Sequence, residues 1–366
     1  MKITVKKHII LPALQTVARA VSPRATLPVL ANILLKADTD LTLSATNLEL
    51  GITKTAAAEI TEPGAITLPA KTLLDAINVM DGDISITVNP KNMSATITAG
   101  ASTMKINGID AEEFPLPRQS TGEPIIILAS ELRQAVSRTE FAVSPDESRP
   151  VLAGIEFGAD GEGITLAATD GFRIAVSKFS CKSAPAHAIV PVKALQEAAK
   201  LPGDTINMTV CEGQVHFYTD DTRIISQLID GNFPNYQQII PKPSSSKTNM
   251  IIMTADLLRA VKQAMIVARE GNNTIRFDFV PEGDTAGRIK VSAQNESTGA
   301  SETTLPAEID GEPLSLAVNG AYMMQALNAL GSFRVQFDMI AANAPIVITP
   351  VNDVNYQHVV MPMSLG

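Results

Sequence analysis

Two hydrophobic periods alternate along the chain. Segments such as ISITVNP from Ile84, SATITAG from Ser94, INMTVCEG from Ile206 and VHFYTDD from Val215 alternate apolar with polar positions and close on Gly, Asn, Asp or Pro. A two-residue period gives a strand one buried and one solvated face, and the closing residues favour tight turns. These segments therefore predict half-exposed antiparallel strands. Elsewhere the period lengthens. Leu14, Val17, Ala18 and Val21 share one helical face, opposite Gln15 and Arg19, and Leu132, Ala135, Val136 and Thr139 repeat the arrangement. Helices are expected at 8–21, 71–80, 130–143, 193–200, 255–269 and 319–330. Many strands with a few one-sided helices place the chain in the α+β class.

The same elements recur. AVSPRATLPVLANI (20–33) and AVSPDESRPVLAGI (142–155) agree at nine of fourteen positions, 122 residues apart, and 122 is one third of the 366-residue chain. IIILASELRQAV from Ile125 returns as MIIMTADLLRAV from Met250. LSATNLELG from Leu43, LAATDGFRI from Leu166 and VSAQNESTG from Val291 align as strand-to-turn segments. Later in each third come LPAKTLLDAI from Leu68, VPVKALQEAA from Val190 and VNGAYMMQAL from Val318. A fixed long period marks one structural unit used repeatedly. With RQSTGEP (118–124) and PKPSSSKT (241–248) as linkers, three domains are expected, 1–119, 120–246 and 247–366, each with two helix-bearing halves.

Composition narrows the chemistry. At 45% hydrophobic and 18% charged residues, the chain is long enough for two or three buried cores. The opening MKITVKKHII interrupts any signal-like apolar run, and no stretch reaches membrane-spanning length, so a cytoplasmic protein without a membrane partner is expected. Cys181 and Cys211 lack metal or redox spacing, and His8, His187, His216 and His358 are scattered. Phosphate-loop, nucleophile-elbow and zinc-helix motifs are absent, and GADGEG (158–163) lacks dinucleotide spacing. IDAEEFP could serve acid/base work or form a solvated turn. No catalytic residue, cofactor or metal is predicted.

RATLPVLANILL, ATDGFR, FPNYQQIIP, NGAYMMQALNAL and the terminal YQHVVMPMSLG, in that order and with that threefold period, resemble the family of bacterial DNA polymerase III beta subunits, the replicative sliding clamps. The resemblance implies a head-to-tail homodimer whose six domains form a ring, with antiparallel sheets outside and short helices lining the pore. Such a ring encircles double-stranded DNA without reading its sequence. It tethers the DNA polymerase III alpha subunit, the clamp loader, other polymerases and repair proteins through short peptide motifs. Size agrees: a domain of this length has a diameter of roughly 35 Å, so six in a hexagon leave a hole of about 35 Å and four in a square only about 15 Å. A duplex is roughly 20 Å across.

The net charge of −9 is a poor footprint for a DNA binder, but its distribution matters. The six expected helices hold Arg19, Lys71, Arg133, Arg138, Lys193, Lys200, Arg259, Lys262 and Arg269 against Asp75, Glu131, Glu140, Glu197 and Asp256, an excess of four positive charges. A cationic pore and ordinary amphipathic faces both fit that count. By resemblance, Arg24 and Arg149 in the repeated loop and Lys71, Lys193 and Lys200 on helices contact the DNA backbone, which positions without specifying sequence.

The resemblance also implies a peptide-binding groove. Leu152, Thr169, Gly171, Phe172, Arg173, Ile174 and Pro241 come from the middle third, and Asn319, Tyr322, Pro345, Val359, Met361, Pro362, Met363 and Leu365 from the last. Methionines suit a surface that repacks around varied partners. From the residues alone, VVMPM is equally a strand edge closing a core. The chain departs from the family at Phe172, where His is frequent, and at Ser364, where a basic residue is common, and it adds Gly366. Met104, Ile106, Ile266 and Val267 match dimer-interface positions. Without the resemblance, a DNA-independent scaffold and a hydrolase with a dispersed site stay open.

Overall fold

A computed structural model of the chain describes residues 1–22, 27–116, 122–146, 148–211, 213–283 and 285–364. The fold is α+β, and its named strands pair antiparallel throughout. Two compact units form, residues 1–129 with 193–228, and residues 130–192 with 229–366. The middle third of the sequence is thus divided between them. Strand pairing across the repeats is the cause. In the first unit Thr222–Gln227 pairs with Leu50–Ala56, Ile224 opposite Ile52, inside one eight-stranded sheet. In the second, Arg173–Ser180 pairs with Tyr356–Val360, Ile174 opposite Val359, inside one twelve-stranded sheet. A five-stranded sheet completes the first unit, running from Glu59–Glu62 at one edge to Ser102–Asn107 at the other.

The strands obey the two-residue period. In Ile84–Asn89, Ile84, Ile86 and Val88 are buried while Ser85, Thr87 and Asn89 face outward or partly so. Each isoleucine taken fully out of water contributes about 1.5–3 kcal/mol, which fixes the register against a one-residue slip.

Among the described residues six α-helices appear: α1 Lys7–Val17, α2 Ala70–Val79, α3 Ala129–Thr139, α4 Val192–Ala198, α5 Thr254–Ala268 and α6 Gly320–Ala329. In α1, Ile10, Ala13, Leu14 and Val17 are buried at the spacing of one helical face. The expected continuation to residue 21 changes form, because the chain tightens into a 3-10 turn at Ala18–Ala20. The shorter turn brings Ala20 inside and leaves Ala18 and Val21 half-buried. α3 ends likewise, in a 3-10 turn at Glu140–Ala142. α5 and α6 pack closely because residue 320 is glycine: a Cβ there would collide with the Met265 sulfur.

Candidate functional site

In the second unit a groove grows from one tight turn. ATDGFR joins the strands Gly163–Thr169 and Arg173–Ser180. The Asp170 carboxylate accepts the backbone N–H groups of Phe172 at 2.9 Å and Arg173 at 3.1 Å. The Thr169 hydroxyl accepts from the Gly171 N–H at 3.1 Å and donates to the Arg173 carbonyl at 2.7 Å. Gly171 holds φ at +94°, open to glycine and strained for other residues. The turn thereby pushes the Phe172 ring out, 60% exposed, and tucks Arg173 inside. The Arg173 guanidinium donates to Asp170 at 3.0 Å, to the Gln325 amide and to the Phe141 carbonyl, and lies 4.2 Å over the Tyr322 ring.

The neighbouring strand in the sheet is Tyr356–Val360, continued by Met361, whose N–H donates to the Phe172 carbonyl at 2.9 Å. Over this strand pair Leu152, Thr169, Gly171, Phe172, Arg173, Ile174, Val359 and Met361 line a cavity of about 90 Å³ together with Pro234, Tyr236 and Ile239. Its floor is the buried cluster of Ala167, Ile174, Val176, Tyr236, Val347 and Val359. Val359 and Val360 close a core, and Val359 and Met361 also line the cavity. An apolar bed with backbone groups at its rim suits an extended peptide offering apolar side chains.

Other expected groove residues stand apart from this cavity. Pro241 lines a separate small depression with Lys242, Ser246, Asp338, Ile340 and Val347. The Asn319 side chain caps α6 by accepting from the Ala321 and Tyr322 N–H groups. Tyr322 lies under Arg173, and burial followed by the Asp170 charge raises its phenol pKa. Met363 bonds through its N–H to the Ala317 carbonyl at 2.8 Å, and Pro345 and Pro362 are half-buried. Leu365 lies outside the described residues. Pro234, Tyr236 and Ile239 were missed although they stand within FPNYQQIIP. Their signal is the packing of Tyr236 edge-on against Phe233, ring centres 6.3 Å apart.

The cations divide by environment. Arg138, expected to add to a cationic surface, is buried: it pairs with Asp353 at 2.9 Å, donates to the Leu330 carbonyl and lies 5.0 Å from the Tyr356 ring centre. Its charge is consumed inside the second unit, so it adds nothing to an exposed excess. Arg149 pairs with Asp146 at 3.0 Å, and a Cβ on Gly171 would stand 3.3 Å from its guanidinium, which places Arg149 at the rim of the groove. Lys71 is exposed in the first turn of α2. Arg24 lies outside the described residues.

Lys193 and Lys200 share one partner in the first unit. Glu197, fully buried, meets Arg19 at 2.8 Å, Lys200 at 3.0 Å and Lys193 at 3.2 Å. Burial pushes the Glu197 pKa up, but the Lys200 hydrogen bond, the Arg19 charge and the Lys193 bond together outweigh it and hold the pKa below the ordinary range. The three cations stay between one third and just over one half exposed.

The expected dimer residues are also split. Met104 and Ile266 are exposed, Ile266 at 72%, while Ile106 and Val267 are buried against their own units. Met104 sits on Ser102–Asn107, the outer strand of the five-stranded sheet. In the second unit the long strand Gly299–Gly311 pairs on both sides only near its end. Among the described residues, Gly299–Ala307 pairs with Ala286–Asn295 alone. Each unit therefore shows an open strand edge. Among the described residues no group of His, Cys, Asp and Glu could hold a metal ion, and no helix is long and apolar enough to cross a membrane.

Residues 1–117, 127–235 and 237–364 match the N-terminal, central and C-terminal domains of the DNA polymerase III beta subunit. The beta sliding clamp of Synechococcus elongatus is 34% identical over 378 residues, covering all of both chains. Among solved structures, the DNA polymerase sliding clamp of Bacillus subtilis aligns over all of both chains with a TM-score of 0.94 at 27% identity. The DNA polymerase III beta subunit of Pseudomonas aeruginosa does so with a TM-score of 0.93 at 28% identity.

Proposed function

The chain belongs to the DNA polymerase III beta subunit family and acts as a DNA sliding clamp in replication, and from that premise we propose how its own surfaces do so. Two copies join head to tail, and the domains 1–119, 120–246 and 247–366 of each make a ring of six around duplex DNA in the cytoplasm. The ring is a non-catalytic processivity factor. Closure joins the open edge Ser102–Asn107 of one copy to Gly299–Ala307 of the other, with Met104 and Ile266 covered by the contact. Two unsatisfied edges and an exposed isoleucine are a liability in a monomer and an asset in a dimer.

The groove between Phe172 and Met361 receives short extended peptides of the polymerase alpha subunit, the loader and other clients. Its cavity, apolar and floored by core residues, is the observation that carries this half of the reading. Lys71, Lys193 and Lys200 supply weak backbone contacts to DNA. Arg149, at the groove rim, is better placed for a client carboxylate or carbonyl than for DNA.

Retention tests the whole. Loaded on nicked circular DNA, the protein stays in salt that abolishes equilibrium binding, because escape requires opening an interface; once the circle is cut it runs off. Gel filtration of labelled protein measures both, and equal loss from circle and linear DNA contradicts encirclement.

A further inference from the structure

The least expected charged group in the first unit is a fully buried carboxylate that sits beneath three cations instead of between core residues. Arg19 belongs to the 3-10 extension of α1, Lys193 and Glu197 to α4, and Lys200 follows α4. An ammonium group carries three donors and a guanidinium five. One Glu197 carboxylate engages only part of that capacity, and the cation side chains remain between one third and just over one half exposed. With three cations to one carboxylate, the cluster has a formal charge of two positive.

We propose that Glu197 is an internal competitor for phosphate, built in to keep these cations weak holders of DNA. A phosphate approaching Lys193 or Lys200 meets an ammonium already hydrogen-bonded to an anion, so each contact exchanges one anionic partner for another. The carboxylate also tethers the long side chains and shortens their reach. A ring held by topology gains nothing from tight backbone contacts, and it is slowed by them. This inference rests on the reading that Lys193 and Lys200 face DNA, and the experiment separates the two.

Equilibrium binding of the full-length protein to a fluorescein-labelled linear duplex of about 30 base pairs is followed by anisotropy across a salt series. Wild type is compared with Glu197→Gln and with a triple variant, Arg19→Gln, Lys193→Gln and Lys200→Gln. Removing one anion from the cluster makes Glu197→Gln bind about tenfold more tightly at low salt, with a log–log salt slope steeper by up to about 0.9. A purely structural carboxylate would leave that slope unchanged or make it shallower. The triple variant binds more weakly with a shallower slope. No change in the triple variant removes the DNA-facing reading itself; a weakened triple variant beside an unchanged or weakened Glu197→Gln overturns the competitor role alone. Should Glu197→Gln fail to fold, Glu197→Asp, which keeps the charge but draws it back from its partners, tightens binding by about twofold, and unchanged binding counts against the proposal.

Discussion

The two units bury charge on opposite plans. In the second, a cation goes inside: Arg173 commits three of its five donors to Asp170, Gln325 and Phe141 and stacks on Tyr322. In the first an anion goes inside, and Glu197 gathers Arg19, Lys193 and Lys200 while their charge stays at the surface. The first plan sets shape, because a buried guanidinium bonded on three sides locks the turn that lifts Phe172 to the groove rim. The second sets strength, because a shared carboxylate moderates charge without removing it. On the proposed reading, a groove that fits peptides needs the former, and a pore past which DNA slides needs the latter.

The sharpest way to break the contrast is Arg173→Met. It strands the Asp170 carboxylate, 7% exposed, without its cation, and breaking a buried pair from one side costs about 3–5 kcal/mol. The urea midpoint of the second unit falls and client-peptide affinity falls with it. Arg173→Lys recovers charge but not the planar fork, so it restores stability only in part. A variant as stable as wild type contradicts the shaping role.

Much of this was legible in the sequence, and the exceptions share a physical cause. Helix faces and strand alternation are local periods, so α1 to α6 emerge within a few residues of their expected bounds. The turn ATDGFR is legible because one glycine and two short polar side chains determine it within six residues. The fate of a cation is not local: Arg138 meets Asp353 more than two hundred residues on, and Arg19 meets Glu197 across a similar gap. No periodicity carries such pairings, which is why a helix count treated a buried Arg138 and a tethered Arg19 as equal. Continuous sheets also escape, since the repeat period marks where one copy ends but not that its edge strand pairs with the next. Tyr236 joined the groove through tertiary packing with Ile174 and Val359, and Pro234 and Ile239 beside it line the same cavity.

A smaller perturbation of the groove is Gly171→Ala. Holding a residue other than glycine near φ +94° costs about 1–3 kcal/mol, and the new methyl meets the Arg149 guanidinium at 3.3 Å. Peptide affinity measured by calorimetry falls, while the salt dependence of DNA binding, which the proposed function assigns to the other unit, is unchanged. Coupled changes in both would dissolve the division between the two plans.

Titration sharpens it further. His358 is fully buried near the Phe141 ring, and burial first, then the Arg173 charge, press its pKa down to about 3. An unfolded histidine takes up its proton near pH 6.5. Between about pH 6 and pH 4 the unfolded chain therefore holds a proton that the folded chain refuses, and stability falls as pH falls, by at most about 1.4 kcal/mol per pH unit. His358→Leu flattens the profile of the second unit by that amount. An unchanged slope would mean that the imidazole charges in place.

The smallest effect on stability accompanies the plainest effect on function. Lys193→Gln removes a half-exposed cation from Glu197 but leaves Arg19 and Lys200 beside the carboxylate, so the buried anion keeps two partners. The loss is about 0–1 kcal/mol, the range for an exposed ion pair, and thermal melts barely move. DNA binding responds differently, because every phosphate that is no longer neutralised makes the log–log salt slope shallower by about 0.9. Arg173→Met shows the reverse pattern, with a large loss of stability and an unchanged slope. Measured together, the two variants place each charge on one plan or the other, and a Lys193→Gln protein that melts early with its salt slope intact would move Lys193 to the structural side.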